Sequence, residues 1–122
     1  MKKKKKLKSK TKLKQEADKW FSLFIRKRDN GRCFTCDVQK DISEMQNGHY
    51  QSRRHLNTRY CEKNSNCQCV SCNIFLRGNL QLYAIRLQKK YGQGILKELF
   101  RKSHTLIKSD RKFYEDIIKK YK

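Results

Sequence analysis

The sequence contains no proline and no internal repeat, which excludes a proline-rich linker and a repeat array. No apolar run approaches the ~18 residues that a transmembrane helix needs. The lysine-rich start is not followed by an apolar segment, so a signal peptide is not expected either. A soluble cytoplasmic protein follows as the expectation, with no membrane partner. Acidic residues are scarce: 11 Asp and Glu stand against 32 Lys and Arg, a formal net charge of +21 over 122 residues. Such an imbalance calls for a polyanionic partner, and nucleic acid is the first candidate. Core-forming residues are also few for this length, a deficit that a structural metal would offset, because bound zinc adds folding free energy directly.

The charge is unevenly spread. Residues 1–14, MKKKKKLKSKTKLK, hold nine lysines and no acid, which reads as a disordered basic tail suited to non-specific phosphate binding. Removing those nine charges from +21 leaves +12, so the remainder, read as a single domain over residues 15–122, is itself basic. Residues 15–29 carry Ala17, Trp20, Phe21, Phe24 and Ile25 at spacings of three and four, the pattern of a helix that Asn30-Gly31 ends. Residues 32–78 lack this period until a helix start near Val70–Asn73, and read as strands and loops. Within them Asn47-Gly48 is a hairpin-turn signal. Residues 79–91 return to helical spacing with Leu80, Tyr83 or Ala84, and Leu87 inward. Two more amphipathic helices are expected over 95–102 and 109–121, the last capped by Ser109 and burying Phe113, Ile117, Ile118 and Tyr121. The fold class is therefore α+β, a small core over about 32–78 flanked by an N-terminal helix and a C-terminal helical part over 79–122.

All six cysteines fall in that core. In a reducing compartment, clustered cysteines more often hold metal than form disulfides. Cys33-Phe-Thr-Cys36 and Cys69-Val-Ser-Cys72 are two C-x2-C knuckles, and their four thiolates make the ligand set of a structural zinc site. Cys61 and Cys67 remain as packing thiols or alternative ligands. A four-cysteine zinc is coordinatively closed, so any catalysis must come from other residues.

Between and after the knuckles lie His49, Asn64 and Asn73. The order Cys-x2-Cys, His, Asn, Cys-x2-Cys-Asn resembles the zinc-stabilised HNH, or ββα-metal, nucleases. The segments FIRKRDNGRCFTC, GHYQSR, LNTRYCEKN, QCVSCN and RGNLQLYAIRLQKKYGQ, spread over roughly residues 18–100, look like the NinG (Rap) recombination proteins of lambdoid phages. That resemblance implies an endonuclease cleaving branched recombination intermediates such as Holliday or fork-like DNA, in the cytoplasm of a host cell. It also implies phage or host recombination proteins as partners. By analogy with HNH sites, His49 is the general base and Asn73 a ligand of a catalytic Mg²⁺ or Mn²⁺, while Asn64 braces the loop that presents His49. One departure stands out. Gly48 occupies the place where many such sites carry a metal-binding side chain. Asn47, Asn66 and His55 are candidates to replace it, and an exchange of roles between His49 and His55 stays open.

Arg53, Arg54, Arg59 and Arg77 surround these positions and are candidates to grip DNA phosphates. Tyr50 can either stack on an unpaired base or fill the hairpin core. His104 reads as ordinary surface. Symmetric cutting of a four-way junction needs two active sites, which makes a homodimer through the C-terminal helices an expectation. The competing reading is a non-catalytic zinc-ribbon protein that binds nucleic acid; a third, a ribosome-associated RNA-binding protein, fits only the composition.

Overall fold

A computed structural model describes residues 6–122. Its first element, α1 (Lys10–Arg28), is nucleated by Ser9, whose hydroxyl accepts from the Lys12 amide at 3.1 Å. Leu13, Ala17, Phe21 and Ile25 recur every fourth residue and form its buried stripe. Lys10–Lys14, expected to belong to the disordered tail, are helical because this cap and the burial of Leu13 carry the stripe upstream. Residues 1–5 of that expected tail lie outside the described residues. Trp20 is half-buried rather than core, and Lys19 and Lys122 sit over its ring at 5.0 and 5.7 Å. At the C-terminus the chain turns through Asn30 (φ 53°) and Gly31 (φ 69°), and the Gly31 amide returns to the Arg26 carbonyl at 3.1 Å.

Two strands, β1 (Met45–His49) and β2 (Ser65–Cys69), pair antiparallel with His49 opposite Ser65 and Met45 opposite Cys69. Asn47-Gly48, expected to be a turn, lies inside β1 opposite Cys67 and Asn66. The glycine serves close approach, not bending: a Cβ there would stand 1.9 Å from Oε1 of the buried Gln68. The strands are joined by residues 50–64, which hold the short α2 (Leu56–Arg59) and a 3₁₀ turn, Glu62–Asn64. After β2 the expected helix is a single wide turn, Ser71–Phe75, closed by the Leu76 amide on the Ser71 carbonyl at 2.9 Å.

Three helices follow: α3 (Leu80–Tyr91), α4 (Ile95–Ser103) and α5 (Arg111–Tyr121). Tyr83 and Leu87 of α3 pack with Ile95 and Leu99 of α4, each such side chain contributing about 1.5–3 kcal/mol on burial. Leu80, expected inward, lies outside that contact and is exposed. α5 is capped by Asp110, not Ser109: the Asp110 carboxylate accepts from the Phe113 amide at 3.0 Å. The innermost residue of α5 is Tyr114, while Phe113, Ile117, Ile118 and Tyr121 flank it half-buried against the α1 cluster. The α1–α5 pair closes over Tyr60, with the Phe21 ring edge-on to Tyr60 and Tyr121 at 5.7 and 5.0 Å. The result is α+β: helices around a two-stranded sheet with a cysteine cluster in which Cys33, Cys69 and Cys72 are buried and Cys36 is exposed. Among the described residues no helix is long and apolar enough to cross a membrane.

Candidate metal centre and adjoining pocket

The two knuckles meet at the end of the hairpin. The turn after α1 delivers Cys33 and Cys36, and the end of β2 delivers Cys69 and Cys72. All four Sγ atoms lie within 4.8 Å of one another. Tetrahedral zinc with Zn–S near 2.3 Å requires S···S separations of about 3.8 Å. The Cys36–Cys69 separation is 3.7 Å. The cluster is also furnished with donors: the Cys72 amide points at Cys69 Sγ (3.4 Å) and Asn79 Nδ2 at Cys72 Sγ (3.7 Å). Burial works to raise the Cys33 thiol, but hydrogen bonds from Thr35 and from backbone amides outweigh it and bring it down to about 6. Four sulfurs of this spacing could hold one zinc ion. Cys67 is buried beside the cluster and Cys61 packs near α3 and α4; neither belongs to the sulfur group.

A separate cavity of about 640 Å³ opens between α1, β1 and the wide turn, and it is here that His49 and Asn73 meet. His49 ends β1. Its Nε2 lies 2.8 Å from the Arg59 carbonyl, and since a carbonyl only accepts, Nε2 carries the proton and Nδ1 the lone pair. Burial, with the nearby Arg53 and Arg59 charges, lowers the His49 pKa to about 4, against the opposing pull of that carbonyl and of Asp18. Asn73 donates from Nδ2 to Gln46 Oε1 at 2.8 Å, which turns its own Oδ1 away from Gln46 as a free acceptor. Asn47 also lines the cavity, and its Oδ1 is buried without a hydrogen-bond partner.

Asn64 stands behind this pocket, fully buried. Its Oδ1 accepts from the Gln51 amide (2.8 Å) and its Nδ2 donates to the Gln51 and Thr58 carbonyls (both 3.1 Å). It thereby ties both ends of the loop that carries Arg59, the partner of His49. The remaining candidates divide. Arg53 and Arg54 are exposed, Arg53 on the cavity wall, and Arg77 is exposed just past the wide turn.

Arg59 cannot serve as a phosphate grip. It is 9% exposed, and its guanidinium is held by the Asp18 carboxylate (2.8 Å) and the Arg53 carbonyl (2.9 Å). Asn66 faces away from His49, donating to the Tyr83 hydroxyl at 3.0 Å and accepting from Arg28. His55 lies outside the cavity, its ring 5.3 Å from that of His104. Tyr50 packs in the hairpin core, stacked on Tyr83 at 5.4 Å. Position 48 has no room for a ligand side chain as packed, because a Cβ there would stand 1.9 Å from Gln68 Oε1.

Several pocket residues were not singled out in the sequence, among them Asp18, Arg26 and Gln46. Asp18 accepts from Arg59 and from the Tyr60 hydroxyl (2.8 Å); burial works to raise its carboxyl, but these partners hold it below the usual value. Its only trace was as one of two acids, Glu16 and Asp18, that flank Ala17 on a mainly basic helix. Arg26 donates to the Ile42 carbonyl at 2.8 Å.

These features define a small α+β protein with paired cysteine knuckles beside a histidine–asparagine pocket. A family model described as Bacteriophage Lambda NinG protein matches residues 1–122, and the chain belongs to the NinG family. Protein ninG of Escherichia phage 933W and protein ninG of Escherichia phage lambda are each 31% identical to it over 87 residues, 70% of this chain. The match covers 43% and 42% of those relatives, so the chain spans less than half of their length. No solved structure matches the chain.

Proposed function

We propose that this NinG-family chain is an HNH-type endonuclease that hydrolyses phosphodiester bonds in branched DNA, with His49 as general base. The observation that carries the reading is the His49 tautomer: Nε2–H is committed to the Arg59 carbonyl, and Nδ1 is the lone pair, in a cavity shared with Asn73. A water at Nδ1 loses its proton to the ring. The imidazolium so formed keeps its Nε2–H bond to Arg59, whose guanidinium Asp18 holds in place. Arg53 on the cavity wall grips the scissile phosphate, and that anion offsets the Arg53 and Arg59 charges that otherwise disfavour a protonated ring.

The oxygen donors suit a hard cation brought in with its phosphate. Magnesium-type sites use few protein ligands and keep substrate oxygens and water. Asn47 Oδ1 is buried without a partner and Asn73 Oδ1 is free, so these two would hold the ion. When bound, Mg²⁺ or Mn²⁺ supplies Lewis-acid stabilisation of the leaving 3′ oxygen.

One observation favours the alternative, a non-catalytic zinc protein that binds DNA. Among the described residues, the only carboxylate on the cavity wall, Asp18, is engaged by Arg59 and Tyr60. The two readings separate in one assay. Zinc-loaded protein is incubated with four-way junction, fork and linear DNA, with Mg²⁺ or Mn²⁺ added or omitted. Strong chelators are avoided because they would also strip the cysteine site. Cleavage of branched DNA only when the ion is added is expected. Binding without any product under all conditions would leave the non-catalytic reading.

A further inference from the structure

We propose that the wide turn Ser71–Phe75 and the two residues after it form a wedge that inserts at the branch point of DNA, with Phe75 as the stacking side chain. This rests on the reading of the chain as a protein of branched DNA. Phe75 is 77% exposed, with Ile74 and Leu76 beside it at 54% and 56%. Three consecutive large apolar side chains in water are costly and indicate a contact surface.

Their mounting is rigid. The Leu76 amide bonds the Ser71 carbonyl, and the Gly78 amide returns to the carbonyl of Cys72, a member of the sulfur cluster, both at 2.9 Å. Arg77 (φ 50°), Gly78 (φ 93°) and Asn79 (φ 48°) then turn the chain through left-handed backbone, and the apolar tip stays exposed. Wide turns of this kind recur at functional sites.

Position and charge specify the occupant. Asn73 and Ile74 line the His49 cavity, and Phe75 follows them directly on the same turn. Arg77 follows immediately, and no acidic residue occurs between Glu62 and Glu98, a stretch carrying six Lys and Arg. A cationic surface around an aromatic tip fits nucleic acid. The phosphates meet the cations, and the aromatic ring meets a base face where stacking is already interrupted. A lipid surface would need a broad apolar helix face, and this is one turn.

The wedge also supplies a reason for branch preference. Phe75 gains a stacking partner where bases are unpaired, and inserting it into intact duplex must first break a stack.

The test measures binding without added Mg²⁺ or Mn²⁺, so that it does not depend on whether the chain cleaves. Zinc-loaded full-length chain is titrated by fluorescence anisotropy against a fork and a linear duplex of equal length. Phe75→Ala is expected to weaken fork binding about 5-fold or more while leaving linear-duplex binding unchanged. Phe75→Trp is expected to retain fork preference. Fork binding by Phe75→Ala equal to wild type, or an equal loss on both DNAs, would overturn the wedge. So would an unchanged fork affinity accompanied by loss of self-association or of binding to anionic vesicles, which would assign the apolar tip to a second copy or to a lipid surface. Because Phe75 is exposed, a folding defect is not expected, and circular dichroism checks this.

Discussion

Removing the Asn64 side chain tests how the pocket is held. Asn64→Ala leaves the Gln51 amide, the Gln51 carbonyl and the Thr58 carbonyl without partners, and opens a small cavity at a fully buried site. The Thr58 carbonyl bond is buried, and an unpaired group there costs about 1–3 kcal/mol. The two Gln51 groups are part-buried and water reaches them in part, so about 0.5–1 kcal/mol each is reasonable. The sum is about 3 kcal/mol. Urea unfolding of zinc-loaded protein should show an unfolding free energy lower by that amount, read as a lower midpoint at an unchanged slope. The effect should also reach His49. With the loop untied, the Arg59 carbonyl no longer holds Nε2–H, and nitrogen chemical shifts of the His49 ring should move toward a mixture of tautomers. A loss below about 1 kcal/mol with an unmoved His49 ring would refute the bracing role.

Three further outcomes follow from the same geometry. Wild-type chain should release one zinc per molecule on thiol modification; Cys36→Ser should bind zinc weakly while Cys61→Ser keeps it, and equal loss in both variants would contradict the assignment of the four sulfurs. The His49 pKa is lowered to about 4 in the fold, so the unfolded chain binds the proton first as pH falls. Stability from this group is complete above about pH 6.5 and is lost toward pH 4, by about 3 kcal/mol, in the difference between wild-type and His49→Gln unfolding profiles; a flat difference would mean that His49 is not held neutral by burial. Asp18→Asn breaks the pairing of Arg59, which is 9% exposed, and should cost about 2 kcal/mol in thermal or urea unfolding; a neutral result would show that the Arg53 carbonyl and water suffice for Arg59.

What could be read in advance depended on how local the signal was. The cysteine knuckles were legible because C-x2-C spacing brings two sulfurs to one point by backbone geometry alone, and the structure groups those four and leaves Cys61 and Cys67 out. Helices α1, α3, α4 and α5 were legible from apolar spacing, though caps and innermost residues shifted by a residue or more, as with Asp110 and Tyr114. Asn47-Gly48 misled because its turn propensity is local, whereas the buried Gln68 that requires a glycine at 48 is twenty residues away. Arg59 misled for a similar reason: its partner, Asp18, lies 41 residues upstream on α1, and no pattern near Arg59 announces it. The convergence of His49 and Asn73 on one cavity followed a motif order, while the walls that Asp18, Arg26 and Gln46 supply come from tertiary packing.

The most direct measurement is single-turnover cleavage of a 5′-labelled four-way junction by His49→Ala and wild-type chains, zinc-loaded, in Mg²⁺, with junction binding measured in parallel. Loss of a positioned general base predicts a rate at least about 100-fold below wild type with junction affinity retained. Cleavage by His49→Ala at the wild-type rate would contradict the account.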